Sequence, residues 1–283
     1  LAGATLGEVE TAGFTRLTVP DPAQQIVQVG PEPSALQQAY RAVLAIVSDI
    51  ASFFHAANTR PALAETPWAA ETASQRERYL AFHAPRKVDT EINMSAFWSG
   101  LADQLPPNTL LTMGAGNYTH WILRHFHFRR FGTLLAPICA PMGYAVPAAV
   151  AASRQFPDRL VVSCSGDGCF LMNGQELATA AQYSANILFL VINNGLYGSV
   201  RMHQELRYPG RPYATNLTNP DFAALATSYG LPSASVTTTA ELTAALGPMI
   251  TSTTGPRLIE IRTDPGEITP AGSIDDIRKK PAN

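Results

Sequence analysis

The sequence is poor in charge of either sign. Charged residues make up 15% of the 283 positions and the formal net charge is −2. No block of five or six like charges interrupts the chain, since Arg129-Arg130 and Arg278-Lys279-Lys280 are too short to form one. That balance gives no electrostatic basis for a nucleic-acid partner, and it excludes a disordered, self-repelling chain. Cysteine is also scarce. Cys139, Cys164 and Cys169 form no C-x-x-C pair, and an odd count in a chain this large excludes a disulfide scaffold. A reducing, cytoplasmic setting is expected. Long apolar runs are missing: Ile187–Ile192 and Tyr144–Ala152 fall far short of the ~20 residues of a bilayer span, so no membrane association is expected. There is no internal repeat and no low-complexity segment. The chain opens at Leu1-Ala2-Gly3 with no initiator Met, charged leader or cleavage pattern, as though it began inside a fold.

What is present is rhythm. The run Gln24–Gly30 reads as a buried strand, Ser34–Tyr40 as a short helix and Val43–Val47 as a second strand. Asp49 is placed to cap a helix carrying Ile50, Phe53 and Phe54. These units suit the end of an α/β domain, residues 1–57. Pro61, Pro67 and Pro85 then punctuate a polar stretch, 58–88, expected to be a linker with a brief helix around Ser74–Phe82. From 89 to 265 helices alternate with short strands. Expected helices at Ser95–Gln104, Gly143–Arg154, Gln175–Tyr183, Pro220–Tyr229 and Ala240–Thr251 are paired with apolar runs Thr109–Met113, Leu160–Cys164, Ile187–Ile192, Ser233–Val236 and Arg257–Arg262. Continuous Leu/Val/Ile runs are the mark of strands buried on both faces, so the fold class is α/β, a doubly wound parallel sheet preceded by the remnant of a second α/β domain. Residues 266–283 form a C-terminal tail.

Ligands of such sheets bind beyond the carboxyl ends of the strands. One strand ends in Ser165-Gly166-Asp167-Gly168 and the next in Asn193-Asn194-Gly195, with 24 residues between Gly168 and Asn193. That gap holds one helix and a return strand, which brings Asp167 and Asn194 to the same sheet edge. A carboxylate and a carboxamide oxygen, helped by a backbone carbonyl, suit Mg²⁺, which keeps few protein ligands and takes phosphate oxygens. Gly166 and Gly168 let the backbone approach a phosphate, and the helix that follows presents free N–H groups. Either triplet alone is ordinary turn chemistry; the pair at this spacing describes a diphosphate clamp. Two rival nucleotide folds fail on their own motifs. Gly114-Ala115-Gly116 does not complete G-x-G-x-x-G, because Thr119 stands at its last position, and no Gly-Lys-Ser/Thr exists for a P-loop.

GDG followed by NN, within SGDGCFLMNGQELATA and INNGLYG, resembles the cofactor signature of thiamine-diphosphate-dependent enzymes of the acetolactate synthase and benzoylformate decarboxylase branch. The resemblance extends over nearly the whole chain, with 1–57 like the end of that family's middle domain and 89–265 like its diphosphate-binding domain. It implies that Asp167 and Asn194 bind Mg²⁺ through side chains and Leu196 through its carbonyl. Backbone N–H groups of Gly168, Cys169, Tyr197 and Gly198 would face the diphosphate, with Asn117 and Tyr118 reaching it from the other side. Pro141-Met142-Gly143-Tyr144-Ala145-Val146-Pro147 resembles the segment that bends the cofactor, Met142 lying 25 positions before Asp167. Met142 would sit under the two rings and meet a pyrimidine nitrogen with its amide, and the Ala140 carbonyl would accept the 4′-amino group. Read without the family, Met142 is a gap-filling core residue. Cys139, Pro141 and Ala145 depart from the small residues usual in that segment.

The implied activity is decarboxylation or carboligation of a 2-keto acid, acetolactate-synthase-like. The alternatives are an aromatic 2-keto acid decarboxylase, suggested by Tyr197-Gly198, and a non-catalytic cofactor-binding module. Ser199 and His203 stand where acetolactate synthases carry Met and Trp. His203 reads as a solvent-exposed helical residue rather than an acid–base group, and His120, His125 and His127, interleaved with Trp121, Phe126 and Phe128, as packing rather than a metal site. The family's catalytic acid is a Glu on a pyrimidine-binding domain of a partner subunit, in a homodimer or homotetramer. Glu8, Glu10 and Glu32 do not replace it. No catalytic residue is therefore expected in this chain, which reads as the C-terminal portion of a protein about twice as long, inactive alone. FAD is left open, because the part of the middle domain that would hold it is mostly outside 1–57.

Overall fold

The computed structural model describes residues 1–252 and 255–279. The chain divides into two compact units, Leu1–Ala73 and Ser74 onward, the boundary falling within a helix. In the first unit strands β1 (Val27–Gly30) and β2 (Leu44–Val47) pair in parallel, with Val27 opposite Leu44. Asp49 caps helix α1 (Ile50–Asn58), accepting from the Ser52 amide at 3.0 Å as expected. The helix expected over Ser34–Tyr40 is absent. Only a single 3₁₀ turn forms at Pro33–Ala35, and Gln37 takes a φ of +59°, in the left-handed region that stops a right-handed helix. Between 58 and 88, helix α2 (Ala69–His83) runs longer than the Ser74–Phe82 segment expected there.

The second unit is a six-stranded parallel sheet with helices on both faces. In chain order come α3 (Met94–Gln104), β3 (Leu110–Met113), α4 (Tyr118–His125), β4 (Leu134–Leu135), α5 (Ala145–Gln155), β5 (Val161–Gly166), α6 (Asp167–Asn173), α7 (Leu177–Gln182), β6 (Ile187–Asn193), α8 (Gly198–Arg207), α9 (Phe222–Ser228), β7 (Ser233–Val236), α10 (Thr239–Thr251), β8 (Arg257–Arg262) and α11 (Ile274–Arg278). The strand order is β4-β3-β5-β6-β8-β7. From β3 the chain steps outward to β4 and then returns to the other side of β3 to lay down β5, so a topological switch opens at the β3/β5 carboxyl edge. Residues 280–283, the end of the expected tail, lie outside the described residues.

The apolar runs behave as a doubly covered sheet requires. Along β6, Leu188, Leu190 and Ile192 pack into one core with Trp98, Trp121 and Leu242. Ile187, Phe189 and Val191 point the other way, into a second core with Val146, Leu177 and Phe222. Strand side chains alternate between faces, so a run buried on both sides is apolar at nearly every position. Burying one such side chain contributes about 1.5–3 kcal/mol. A small third cluster, Leu196, Ile268, Ile274 and Ile277, ties the loop after β6 to the C-terminal segment.

Candidate functional site

Three loops meet at the switch point. Glycine makes the first approach feasible: a Cβ on Gly166 would lie 3.0 Å from the Tyr118 ring. Tyr118 is buried on this glycine, its hydroxyl accepting from the Gly114 amide at 2.8 Å. Gly168 is needed in the same way, because a Cβ there would come 2.7 Å from the Tyr197 ring. The loops line an open cleft with about 790 Å³ of empty space. Asn117, Tyr118, Met142, Gly166, Asp167, Gly168, Cys169, Asn194, Leu196, Tyr197 and Gly198 all border it. Of the residues expected to hold the cofactor or metal only Ala140 does not: it sits on the adjoining turn, exposed, with φ +47°. The turn closes at Gly143, where φ is +85° and the Asn173 amide holds the carbonyl at 2.9 Å.

Asp167 is 2% exposed, and its hydrogen-bond partners are all neutral. Its Oδ1 accepts from the Gly168 amide at 2.9 Å; its Oδ2 accepts from the Gly195 amide and the Asn219 side chain, each at 2.8 Å. Burial pushes this carboxyl above its ordinary range against the pull of those three donors. A buried carboxylate without a counter-cation is costly, and a carboxylate has about four acceptor positions, so one remains for an ion. Asn194 borders the same cleft, its Oδ1 accepting from the Leu196 amide at 3.1 Å. The oxygen-only donor set suits Mg²⁺. Among the described residues no trio of His, Cys, Asp or Glu forms a transition-metal site. His125 instead is buried, Nδ1 against the His83 carbonyl at 3.1 Å and ring stacked on Trp121.

Three helices begin at the cleft without side-chain caps, as do α5 and α7 away from it. Asn93, Asp221, Thr238 and Ser273 cap α3, α9, α10 and α11 with their side chains. No side chain caps α4, α6 or α8, whose starts at Asn117, Gly166 and Tyr197 all border the cleft. A missing cap costs about 1 kcal/mol and leaves first-turn amides open to an anion. Two amides named in the sequence are not open: Gly168 N–H donates to Asp167 and Tyr197 N–H to the Thr215 carbonyl at 2.9 Å. The Asn117 side chain binds the two outer loops together, accepting from Ser199 Oγ at 2.8 Å and donating to the Gly198 carbonyl at 3.4 Å. His203 is exposed on α8 and does not border the cleft.

These loops fall inside a single match. Residues 114–261 match the family described as "Thiamine pyrophosphate enzyme, C-terminal TPP binding domain". The chain belongs to this family. Its cofactor is thiamine diphosphate. Similar proteins include the mitochondrial acetolactate synthase catalytic subunit of Aspergillus candidus, 35% identical over 59% of this chain and 24% of that protein. Acetolactate synthase isozyme 2 large subunit of Escherichia coli (strain K12) is 34% identical over 58% of this chain and 30% of its own length. The Corynebacterium glutamicum acetolactate synthase large subunit is 38% identical over 52% of this chain and 24% of its own. The matched stretch thus spans 24–30% of the length of these relatives.

Asn219, Met94, Trp121, Thr263 and Glu267 were not legible as site residues. Asn219 precedes Pro220-Asp221 and reads as part of a helix start, yet the cap is Asp221, which accepts from Ala224 N at 2.8 Å. Glu267 borders the cleft with Oε2 buried and unpartnered, its carboxyl pushed up by burial.

Proposed function

We propose that this chain supplies the metal and diphosphate half of a thiamine-diphosphate site in an acetolactate-synthase-like enzyme acting on 2-keto acids. The observation that carries the reading is Asp167: a buried carboxylate with only neutral partners, beside Asn194, in a cleft ringed by three uncapped helix starts. Asp167 and Asn194 would hold Mg²⁺ through side-chain oxygens and Leu196 through its carbonyl. Gly198 and Cys169, in the first turns of α8 and α6, would offer amides to the diphosphate, with Asn117 and Tyr118 on the opposite wall and Met142 beneath the rings. Gly166 and Gly168 keep the floor free of side chains, so that the backbone itself meets the ligand. Thiamine diphosphate supplies a nucleophilic carbon that activates a 2-keto acid carbonyl.

The domain reading, 1–57 as the end of a middle domain, 58–88 as linker and 89–265 as the diphosphate-binding domain, belongs to the same proposal. So does a partner subunit supplying the catalytic acid, in a homodimer or homotetramer. The three cysteines are free thiols, in keeping with a reducing compartment such as the cytoplasm. Among the described residues no helix is long and apolar enough to cross a membrane.

Calorimetry of the intact protein with thiamine diphosphate, with and without Mg²⁺, tests the reading. Binding should need Mg²⁺ and should be lost in Asp167→Ala; metal-independent binding, or an Asp167→Ala variant that binds normally, would sink it. Release of CO₂ from pyruvate, set against an aromatic 2-keto acid, then separates the acetolactate-synthase-like reading from an aromatic decarboxylase.

A further inference from the structure

Asn219 lies on the loop between α8 and α9, half-buried, and both hydrogens of its amide are used within the site. One goes to Asp167 Oδ2 and the other to Asn193 Oδ1, each at 2.8 Å. It therefore bridges the ends of β5 and β6, the two strands that carry the metal-binding loops. Its orientation is dictated by what lies behind it. Buried Glu260, paired with Arg262 at 3.2 Å, accepts from Asn193 Nδ2 at 2.7 Å. A carboxylate only accepts, so Asn193 must turn its amide nitrogen to Glu260 and its oxygen to Asn219. Asn219 must then present its own nitrogen, and the second hydrogen reaches Asp167. The reverse orientation would set Asn219 Oδ1 against two acceptor oxygens. The structure instead leaves Oδ1 buried without a partner, a cost accepted for the sake of the two donors.

We infer that Asn219 is a positioning residue for the metal-binding carboxylate, fixing Asp167 before an ion arrives; the inference rests on the reading above that Asp167 holds Mg²⁺. The line Arg262–Glu260–Asn193–Asn219–Asp167 runs from the carboxyl end of β8 to the cleft and sets the carboxylate's rotamer. Gly195 N–H shares Oδ2 with Asn219, so the same contact registers the loop bearing Asn194 against the one bearing Asp167. Outer partners of this kind change metal affinity by about 10–100-fold when removed.

The test is calorimetry of the intact protein carrying Asn219→Leu or Asn219→Ser, with Mg²⁺ titrated at saturating thiamine diphosphate and the cofactor titrated at saturating Mg²⁺. Leu keeps the branched shape without donors; Ser avoids crowding should the larger Leu fail to fold, and circular dichroism checks both. The Mg²⁺ half-saturation should rise about tenfold or more, while cofactor affinity at saturating Mg²⁺ stays within about threefold. A wild-type Mg²⁺ response in either folded variant overturns the inference. So does an equal loss for metal and cofactor with a lowered melting temperature, which would mark Asn219 as a general structural residue. If the unaltered protein shows no Mg²⁺-dependent binding, the parent reading falls together with this one.

Discussion

Two carboxylates buried in the same unit are handled in opposite ways, and the difference separates a candidate ligand site from a brace. Asp167 has three neutral donors and burial raises its carboxyl. Glu205, fully buried on α8, receives two hydrogen bonds from Arg278 at 2.8 and 2.9 Å and one from the Gly210 amide, which hold its carboxyl down at about 2. A carboxyl lowered on folding contributes stability above its unfolded value near 4.5, and that contribution disappears as pH falls toward 2. Melting temperature should therefore decline between about pH 5 and pH 2, and Glu205→Gln should flatten this part of the profile. At neutral pH the variant should lose about 1–2 kcal/mol, a figure reduced for solvent screening at the partly exposed Arg278. A series of thermal melts from pH 2 to 7 checks it; parallel curves for the two proteins would show that the pair contributes nothing. The same pair pins α11 to the helix whose first turn faces the cleft.

At the scale of an element, the turn before α5 is the most constrained piece of the cleft. Gly143 combines φ +85° with a space so tight that a Cβ would stand 2.7 Å from Met172 Cβ and 2.8 Å from Asn173 Nδ2. Gly143→Ala thus meets two penalties, a left-handed backbone worth about 1–2 kcal/mol and a collision with α6. The expected result is a lower melting temperature together with weaker cofactor affinity, because Met142 rides on the same turn. Normal affinity in the folded variant would detach Met142 from cofactor binding. Elements also show where local sequence was enough. The cap Asp49 and the strand runs Ser233–Val236 and Arg257–Arg262 are set by short-range chemistry, and they form where the pattern puts them. The Ser34–Tyr40 helix fails because Gln37 goes left-handed as its amide is captured by the side chain of buried Gln28 at 2.8 Å. That contact spans nine residues and no helical periodicity reports it.

For the molecule as a whole, a ligand that binds only the folded state adds stability by mass action. Mg²⁺ with thiamine diphosphate at about 100 times its dissociation constant should add about 2.7 kcal/mol. For a unit of this size that is a rise of roughly 5–10 °C in melting temperature, reversed by chelation. Amide hydrogen exchange should slow at 114–118, 166–169 and 194–199, the three loops that meet in the cleft, and should change little along β7. Cofactor protection spread evenly over the sheet, or absent from those loops, would contradict a site built at this edge.

Much of this was determined by the sequence alone. Strands buried on both faces are mostly apolar, so β6 announces itself outright, and β5 and β8 do so through their Val, Leu and Ile despite buried Ser163, Ser165, Arg257 and Glu260. A metal with a diphosphate needs an acidic residue and small neighbours at a strand end, so GDG and NN stand out together. Tertiary structure decided the rest, because it depends on atoms brought together from distant positions. Asn219 meets Asp167 across 52 residues of chain, and Asn193 meets Glu260 across 67. Nothing local distinguishes that asparagine from a helix cap. Which backbone amides stay open was also decided there, since Thr215 takes the Tyr197 N–H and Asp167 takes that of Gly168. A hydrogen bond has one donor, and only the fold determines which acceptor receives it.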